Sequence, residues 1–138
     1  MARGGIGDML GGEDKNILST GNNEIDKKIA DGLPLGSLTL IEGENDTGKS
    51  VLTQQIIWGA MKQGLNVDLY STEMTAKSFL SQMESMSLDV SDYFAWGYIK
   101  LFPLHIVGFK WSKGEMDGIL SRIIDHILTS KAQVVVID

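Results

Sequence analysis

The stretch Gly43–Ser50, which reads Gly-Glu-Asn-Asp-Thr-Gly-Lys-Ser, constrains the fold of this chain more than any other feature. It fits the phosphate-binding pattern G-x-x-x-x-G-K-[ST]. A short apolar, β-rich run, Leu38–Ile41, precedes it, and a long, mostly apolar helical segment, Val51–Met61, follows it. A strand, a glycine loop and a helix in this order form the context in which the pattern predicts a nucleotide site.

The residue types of the loop suit a triphosphate. Backbone N–H groups of a tight loop and of a helix N-terminus can point together at the phosphate oxygens, and Gly43 and Gly48 allow the backbone to approach closely. Lys49 would reach the β- and γ-phosphates, and the Ser50 hydroxyl would ligate Mg²⁺. The alternative is an ordinary glycine turn before a helix, which matches the pattern by chance in about one of a few hundred chains this long.

Composition bounds the class of protein. The chain has 138 residues, which is one domain or part of one, and 43% of them are hydrophobic, enough for a core. A net charge of -6 argues against non-specific binding to nucleic acid or to anionic membranes. The chain has no cysteine, and none of its apolar runs approaches the length that spans a bilayer. The absence of cysteine suits a reducing cytoplasm.

The region before the loop is predicted to contain a tail, a short helix and the first strand. Residues 1–15 are rich in glycine, so we predict a flexible N-terminal tail there. Asn22 or Asn23 can cap a helix that Gly32 and Pro34 bring to an end. Ser37–Glu42 is then predicted to be the first strand.

The helix after the loop is apolar nearly all round, which predicts burial against a sheet. Gly59 lies within it and indicates a close approach to a neighbouring element, while Gly64 is placed to end it. The next strand is predicted at Val67–Thr72, parallel to the first because a helix connects the two.

Two acidic residues follow predicted strands. Glu73 comes directly after Val67–Thr72, at the sheet edge where ligands of parallel sheets bind. The run Gln133–Asp138 is rich in β-branched residues without alternation, which predicts a strand buried on both faces. Asp138 at its end fits the second magnesium-site carboxylate of phosphate-loop NTPases.

The middle of the chain is predicted to be mainly helical. Thr75 begins a helix, a short helix follows near Ser91–Trp96, and extended pieces are predicted at Tyr98–Phe102 and Leu104–Val107. Ser112 to Glu115 forms a capping box for a last helix, whose apolar residues recur with helical spacing: Met116, Ile119, Leu120, Ile123, Ile124, Ile127 and Leu128. The two histidines, His105 and His126, lack metal-ligand spacing and are interpreted as structural.

Several of these stretches together resemble the KaiC-like branch of the RecA-type ATPases. Leu18–Gly21, Ile25–Asp26 and Gly32–Ser37 together resemble the opening of that branch. Tyr70–Thr75 resembles its glutamate-bearing strand end. Within the branch, Glu42–Leu52 is similar to the loop of the FlaH family, accessory ATPases of the archaellum, the archaeal motility filament. The resemblance covers residues 16–138. It implies a RecA-like P-loop NTPase core with a mainly parallel sheet flanked by helices.

The resemblance also implies roles for the matched positions. Ser50 and Asp138 would hold Mg²⁺, and Glu73 is the candidate general base, with a helix-start glutamate as the alternative. The residues implied to bind the phosphates of ATP are Gly43, Glu44, Asn45, Asp46, Thr47, Gly48, Lys49, Ser50 and Val51.

Two positions depart from the pattern of the branch. Met74 stands where relatives often carry a second glutamate, and Asp46 stands where many have a small residue. A carboxylate beside phosphates repels them unless it points away or is neutralised. These departures leave ATP binding in place and argue against fast turnover.

The sequence ends at Asp138, the last residue of the predicted strand Gln133–Asp138. In RecA-like domains the strand between the phosphate-loop strand and the Asp138 strand comes from downstream sequence, so residues 16–138 are interpreted as the N-terminal portion of a single domain. The first and last strands should then carry unpaired backbone groups, and isolated 1–138 is expected to be unstable or aggregation-prone.

The leading hypothesis is a regulatory subunit that binds Mg-ATP, hydrolyses it weakly and acts as a nucleotide-dependent switch. The resemblance implies the archaellum motor ATPase and a ring scaffold as partners, a homo-oligomeric ring, and a location at the cytoplasmic face of the membrane; no nucleic acid is expected. The alternatives are an ATPase that drives mechanical work and a recombinase-like, DNA-binding ATPase.

Overall fold

The computed structural model describes residues 16–44, 47–104 and 112–138. The chain divides into two compact units, Met1–Gly64 and Leu65–Asp138. We call the first the phosphate-loop unit and the second the sheet unit. Within the described ranges, no helix is both long enough and apolar enough to cross a bilayer.

The phosphate-loop unit contains two very short strands and two helices. Its elements are β1 (Ile17–Leu18), α1 (Asn23–Lys28), β2 (Leu33–Pro34) and α2 (Lys49–Lys62). β1 and β2 pair antiparallel. The predicted cap of α1 is confirmed: the Asn22 side chain accepts hydrogen bonds from the backbone N–H groups of Glu24 and Ile25.

α2 confirms the predicted buried helix and begins two residues before the predicted Val51. Ile57 and Ala60 are completely buried, and Gln54, Ile56, Gly59 and Met61 are also buried. Gly64 follows the helix in the left-handed region, at φ +74°, which a glycine adopts without strain. The predicted end of the helix is therefore confirmed.

The sheet unit is built on a three-stranded parallel sheet. Its elements are β3 (Val67–Ser71), α3 (Ala76–Ser85), α4 (Ser91–Ala95), β4 (Ile99–Pro103), α5 (Lys113–Thr129) and β5 (Val134–Ile137). The strand order is β4-β3-β5, and both pairings of β3 are parallel. Every residue of the central strand β3 is buried. The mainly parallel α/β sheet expected from the sequence is confirmed.

Local signals in the helices of the sheet unit are confirmed as well. Thr75 and Ser112 both form capping boxes, at the starts of α3 and α5. His126 has the structural role expected of it, since its ring contacts Tyr70 and packs edge-on against Phe102. His105 and most of the extended piece predicted at Leu104–Val107 lie outside the described residues.

The first predicted strand, Ser37–Glu42, is wrong. The segment has no regular secondary structure, and Leu38 and Leu40 are 100% and 78% exposed. Its apolar, β-rich residues give it strand propensity, but a strand forms only by pairing, and no strand of the described ranges pairs with it. Because Ser37–Glu42 is not a strand, the parallel direction predicted for it and β3 does not apply.

The predicted burial of the last strand on both faces is also wrong. β5 forms, but only Val134 is buried, and Ile137 is 64% exposed. β5 pairs with β3 along one edge, and in the part of the chain that is described no strand pairs with its other edge. The apolar residues of α5 are similarly uncovered, since Met116, Leu120, Ile124 and Leu128 are all exposed.

Candidate functional site

The phosphate loop folds back on its own lysine. The Lys49 Nζ donates hydrogen bonds to the carbonyl oxygens of Gly43, at 2.5 Å, and Glu44, at 2.7 Å. The Thr47 Oγ1 donates to the same Glu44 carbonyl at 2.6 Å. These three bonds join both ends of the loop around one ammonium group. Asn45 and Asp46, which were predicted to belong to the loop, lie outside the described residues.

Glycine is required at the start of the loop. A Cβ on Gly43 would lie 2.6 Å from the Thr47 Oγ1 and 3.4 Å from the Lys49 Cγ. The first distance is shorter than real side chains tolerate, so any larger residue would push Thr47 out of the closed loop. The closure therefore explains why the pattern begins with glycine, and it places Gly43, Glu44, Thr47 and Lys49 in one compact structure.

The loop leads directly into the N-terminus of α2. Gly48 precedes the helix in the left-handed region, at φ +91°, and has no side chain with which to cap the first N–H groups. Ser50 and Val51 lie in the first turn and are exposed. Backbone donors, the positive end of the helix dipole and the Lys49 ammonium are thus gathered at one place, which is the composition of a phosphate site.

Magnesium fits this site through the ligands of a nucleotide. No group of three or more acidic or histidine side chains among the described residues could hold a metal ion by itself. Mg²⁺ commonly binds with one or two protein oxygens together with substrate phosphates and water. The exposed Ser50 hydroxyl at the start of α2 can supply one such oxygen.

Glu73 and Asp138 lie at neighbouring strand ends in the sheet unit. The Thr72 N–H donates to the Asp138 carbonyl at 3.1 Å, and the Asp138 N–H donates to the Tyr70 carbonyl at 2.8 Å. The carboxyl ends of β3 and β5 therefore stand side by side, and both acidic residues are exposed there. The structure brings together the predicted base and the predicted second magnesium ligand, at the edge where parallel sheets bind ligands.

A buried serine shapes the turn that carries Glu73. The Ser71 Oγ accepts hydrogen bonds from the N–H groups of Glu73, at 3.2 Å, and Met74, at 2.9 Å. Met74 is buried, whereas Glu73 is exposed. The position at which relatives often carry a second glutamate is thus a core position in this chain, which leaves Glu73 as the single carboxylate of the turn.

The phosphate-loop unit contains a buried carboxylate whose role was not predicted from the sequence. Asp26 is 9% exposed and accepts hydrogen bonds from the Ser19 Oγ and from the Thr20 N–H and Oγ1. Burial raises the pKa of Asp26, but the hydrogen bonds from Ser19 and Thr20 outweigh it and hold the pKa below its ordinary value of 3.8. Its signal in the sequence was the Ser19-Thr20-Gly21 and Ile25-Asp26 pattern of the family resemblance, which assigned no role to the carboxylate.

A cavity of about 430 Å³ lies elsewhere in the sheet unit and contains none of the predicted site residues. Asp68, near the start of β3, lies in its wall and accepts a hydrogen bond from the Ser130 Oγ. Burial, and with it the neighbouring Asp68 carboxylate, raises the pKa of Tyr70, whose hydroxyl contacts His126. The lining residues are Asp68, Lys100, Phe102, His126, Thr129, Ser130 and Lys131.

The chain matches a known protein family. The model of the family described as "ATPase: KaiC" matches residues 18–138. That range includes the phosphate loop, Glu73 and Asp138.

The chain is also similar to individual FlaH proteins. The archaeal flagellar ATP-binding protein FlaH of Sulfolobus acidocaldarius is 33% identical over 122 residues, which are 88% of this chain and 53% of the relative. FlaH of Methanocaldococcus jannaschii is 34% identical over 119 residues, 84% of this chain and 49% of the relative. The crystal structure of the flagellar accessory protein FlaH from M. jannaschii matches with a TM-score of 0.74 at 27% identity, over 89% of this chain and 54% of that chain. The chain spans about half the length of the relatives it matches.

Proposed function

Because the chain belongs to the KaiC family of ATPases, we propose that it binds Mg-ATP at the phosphate loop and serves as a regulatory subunit of the archaellum machinery. The observation that carries the proposal is the loop closed around Lys49 at the N-terminus of α2. The names of two similar proteins support the cellular role: FlaH of S. acidocaldarius is an archaeal flagellar ATP-binding protein, and FlaH of M. jannaschii is a flagellar accessory protein.

Lys49 would exchange its partners when nucleotide binds. Its ammonium satisfies two loop carbonyls in this structure, and the β- and γ-phosphates offer it negatively charged oxygens instead. In the bound state the ammonium would face anionic phosphate oxygens instead of neutral carbonyls, and the added Coulomb attraction favours the exchange. Released from Lys49, the backbone of Gly43 and Glu44 can rearrange, which makes the loop a sensor of the phosphates.

The remaining site residues have proposed roles of their own. Ser50 and Asp138 would hold Mg²⁺, which neutralises charge on the phosphates when it is bound. Glu73 would orient and deprotonate the attacking water. A single carboxylate at that turn, with Met74 buried beside it, fits slow rather than fast hydrolysis.

Weak hydrolysis suits a switch. Loops that contact the γ-phosphate become ordered on binding and are released by hydrolysis or exchange, so the nucleotide state is displayed on the protein surface. We propose that this surface contacts the archaellum motor ATPase and a ring scaffold, within a homo-oligomeric ring at the cytoplasmic face of the membrane. Residues 16–138 would form part of one ATPase domain.

Calorimetric titration with Mg-ATP tests nucleotide binding. We expect Lys49→Ala, in the complete protein, to weaken binding by about two orders of magnitude or more, because two charge-assisted hydrogen bonds of roughly 1.5 to 3 kcal/mol each are lost. Lys62→Ala is the matched control, since Lys62 lies on the same helix and stacks on Trp58 at 4.3 Å. Equal affinity in the Lys49 variant and the wild type would contradict the site.

Steady-state hydrolysis tests the regulatory role. We expect Glu73→Gln to abolish turnover and leave ATP affinity unchanged, whereas Glu84→Gln, an exposed position on α3, should change neither. Wild-type turnover well above roughly 1 per second would instead favour an ATPase that performs mechanical work. Stimulation of turnover by DNA would favour the recombinase-like alternative.

A further inference from the structure

The carboxylate of Asp26 organises the segment that follows β1. Its oxygens accept hydrogen bonds from the Ser19 Oγ at 2.5 Å, the Thr20 Oγ1 at 2.7 Å and the Thr20 N–H at 2.9 Å. The Thr20 side chain is completely buried by this arrangement. Three donors on one buried carboxylate fix residues 19 and 20 against α1.

The same segment is bound to the C-terminal half of α2. The Gln63 side chain makes two hydrogen bonds with it, accepting from the Ser19 N–H at 2.8 Å and donating to the Ile17 carbonyl at 2.9 Å. The Gln55 side chain donates to the Thr20 carbonyl at 2.8 Å. Gln55 lies within α2, and Gln63 is its C-cap residue.

Gly59 lies midway between the two glutamines and completes this contact. A Cβ at Gly59 would come within 1.8 Å of the Ser19 carbonyl oxygen, so the segment touches the backbone of the helix. This is the close approach that the glycine indicated. We call Ile17–Gly21, together with Asp26, Gln55, Gly59 and Gln63, the clasp.

The clasp joins the two stems of the phosphate loop. α2 is the outgoing stem. The incoming stem, residues 37–44, follows β2, which pairs with β1, and the Leu35 N–H also donates to the Asn16 carbonyl at 2.7 Å. Both stems are therefore anchored on the same few residues. Because no strand of the described ranges pairs with the incoming stem, these bonds hold its N-terminal end, while Lys49 and Thr47 hold its C-terminal end.

We propose that Asp26 is a positioning residue for the nucleotide: it orders the clasp, and the clasp sets the separation of the loop stems. The inference rests on the proposed binding of Mg-ATP at the loop. The hydrogen bonds that the Asp26 carboxylate makes with described residues go to Ser19 and Thr20 and not to the loop, so its proposed effect is on preorganisation. A loop held in its binding geometry avoids the ordering cost that a loose loop incurs on binding.

The test compares ATP affinity in variants that release the clasp from opposite sides. Asp26→Asn removes the charge and places N–H donors against Ser19 and Thr20, and Gly59→Ala displaces the Ser19 carbonyl. We expect each to weaken Mg-ATP binding by about tenfold, measured in the complete protein well below its melting temperature. The double variant should lose less than the product of the two, because both changes release one structure. Asp31→Asn, at an exposed position, is the control and should bind as the wild type does.

The outcomes separate this inference from the proposed function. A wild type that binds Mg-ATP, with variants that melt earlier yet bind ATP with unchanged affinity while folded, would show a purely structural clasp and overturn the inference alone. A wild type that takes no Mg-ATP overturns both. If Asp26→Asn does not fold, Gln63→Met removes two bonds of the clasp at an exposed position, and its affinity decides the question in the same way.

Discussion

The two units of this chain are stabilised in different ways. The sheet unit has a central strand, β3, that is buried at every residue and paired on both edges. In the described part of the phosphate-loop unit the strands are two residues long, and side-chain hydrogen bonds connect residues 35, 44 and 46 positions apart in the sequence. The sheet unit therefore relies on backbone pairing and apolar burial, whereas the phosphate-loop unit adds specific polar contacts to the burial of α2.

The difference bears on function. A buried parallel sheet tolerates conservative exchange of apolar residues, because burial is non-directional. A unit held by Asp26, Gln55 and Gln63 depends on the geometry of each of those side chains. The part of the chain that carries the phosphate loop is therefore expected to be the more easily adjusted part, both by mutation and by a ligand.

The largest effect is expected in the core of the sheet unit. Leu69→Ala removes a completely buried side chain from β3 and should lower the free energy of unfolding by about 2 to 5 kcal/mol. Leu120→Ala, in which the side chain is 49% exposed on α5, should cost well under half of that. Chemical denaturation of both variants measures the difference, and equal losses would break the distinction between a buried β3 and an uncovered α5.

A glycine pair sharpens the comparison between the units. Gly59→Ala should destabilise the protein by about 1 to 3 kcal/mol, because the new methyl group meets the Ser19 carbonyl. Gly118→Ala, in α5, meets nothing within 4 Å and should stabilise the helix by up to about 1 kcal/mol. Thermal melts of the two variants should shift in opposite directions. A stabilising Gly59→Ala would mean that the segment does not touch the helix.

The smallest effect is expected from pH. The pKa of Asp26 is below its unfolded value, so its contribution to stability is present above about pH 4 to 5 and is lost as pH falls through the folded pKa. Asp26→Asn should therefore flatten the dependence of stability on pH in this acidic range. Hydrogen bonds from Ser91 likewise lower the pKa of Asp89, but this carboxylate is exposed, so Asp89→Asn should flatten the curve less. Parallel acid titrations of the melting temperature compare the two.

Features encoded by neighbouring residues were predictable from the sequence. The caps at Asn22, Thr75 and Ser112 and the glycines at positions 59 and 64 depend on a few adjacent residues, and all are confirmed. The strand predicted at Ser37–Glu42 needs a partner strand, and burial of β5 on both faces needs other elements packed against those faces. Strand propensity does not reveal whether such elements are present, and this is why both predictions failed.

The residues of the candidate site also differ in whether adjacent residues or distant contacts determine their role. The loop pattern identified Gly43, Gly48 and Lys49 without any tertiary information. Asp26 was missed because its role exists only through contacts with Ser19, Thr20 and, beyond them, α2. Glu73 and Asp138 were placed correctly at strand ends, and their roles in catalysis and magnesium binding stay predictions.

The central claim is that Lys49 exchanges two loop carbonyls for phosphate oxygens when the nucleotide binds. A crystal structure of the complete protein with Mg²⁺ and a non-hydrolysable ATP analogue measures it directly. We expect the Lys49 Nζ to leave the carbonyls of Gly43 and Glu44 and to lie within hydrogen-bonding distance of β- and γ-phosphate oxygens. An analogue bound elsewhere, with the ammonium still on those two carbonyls, would contradict the account.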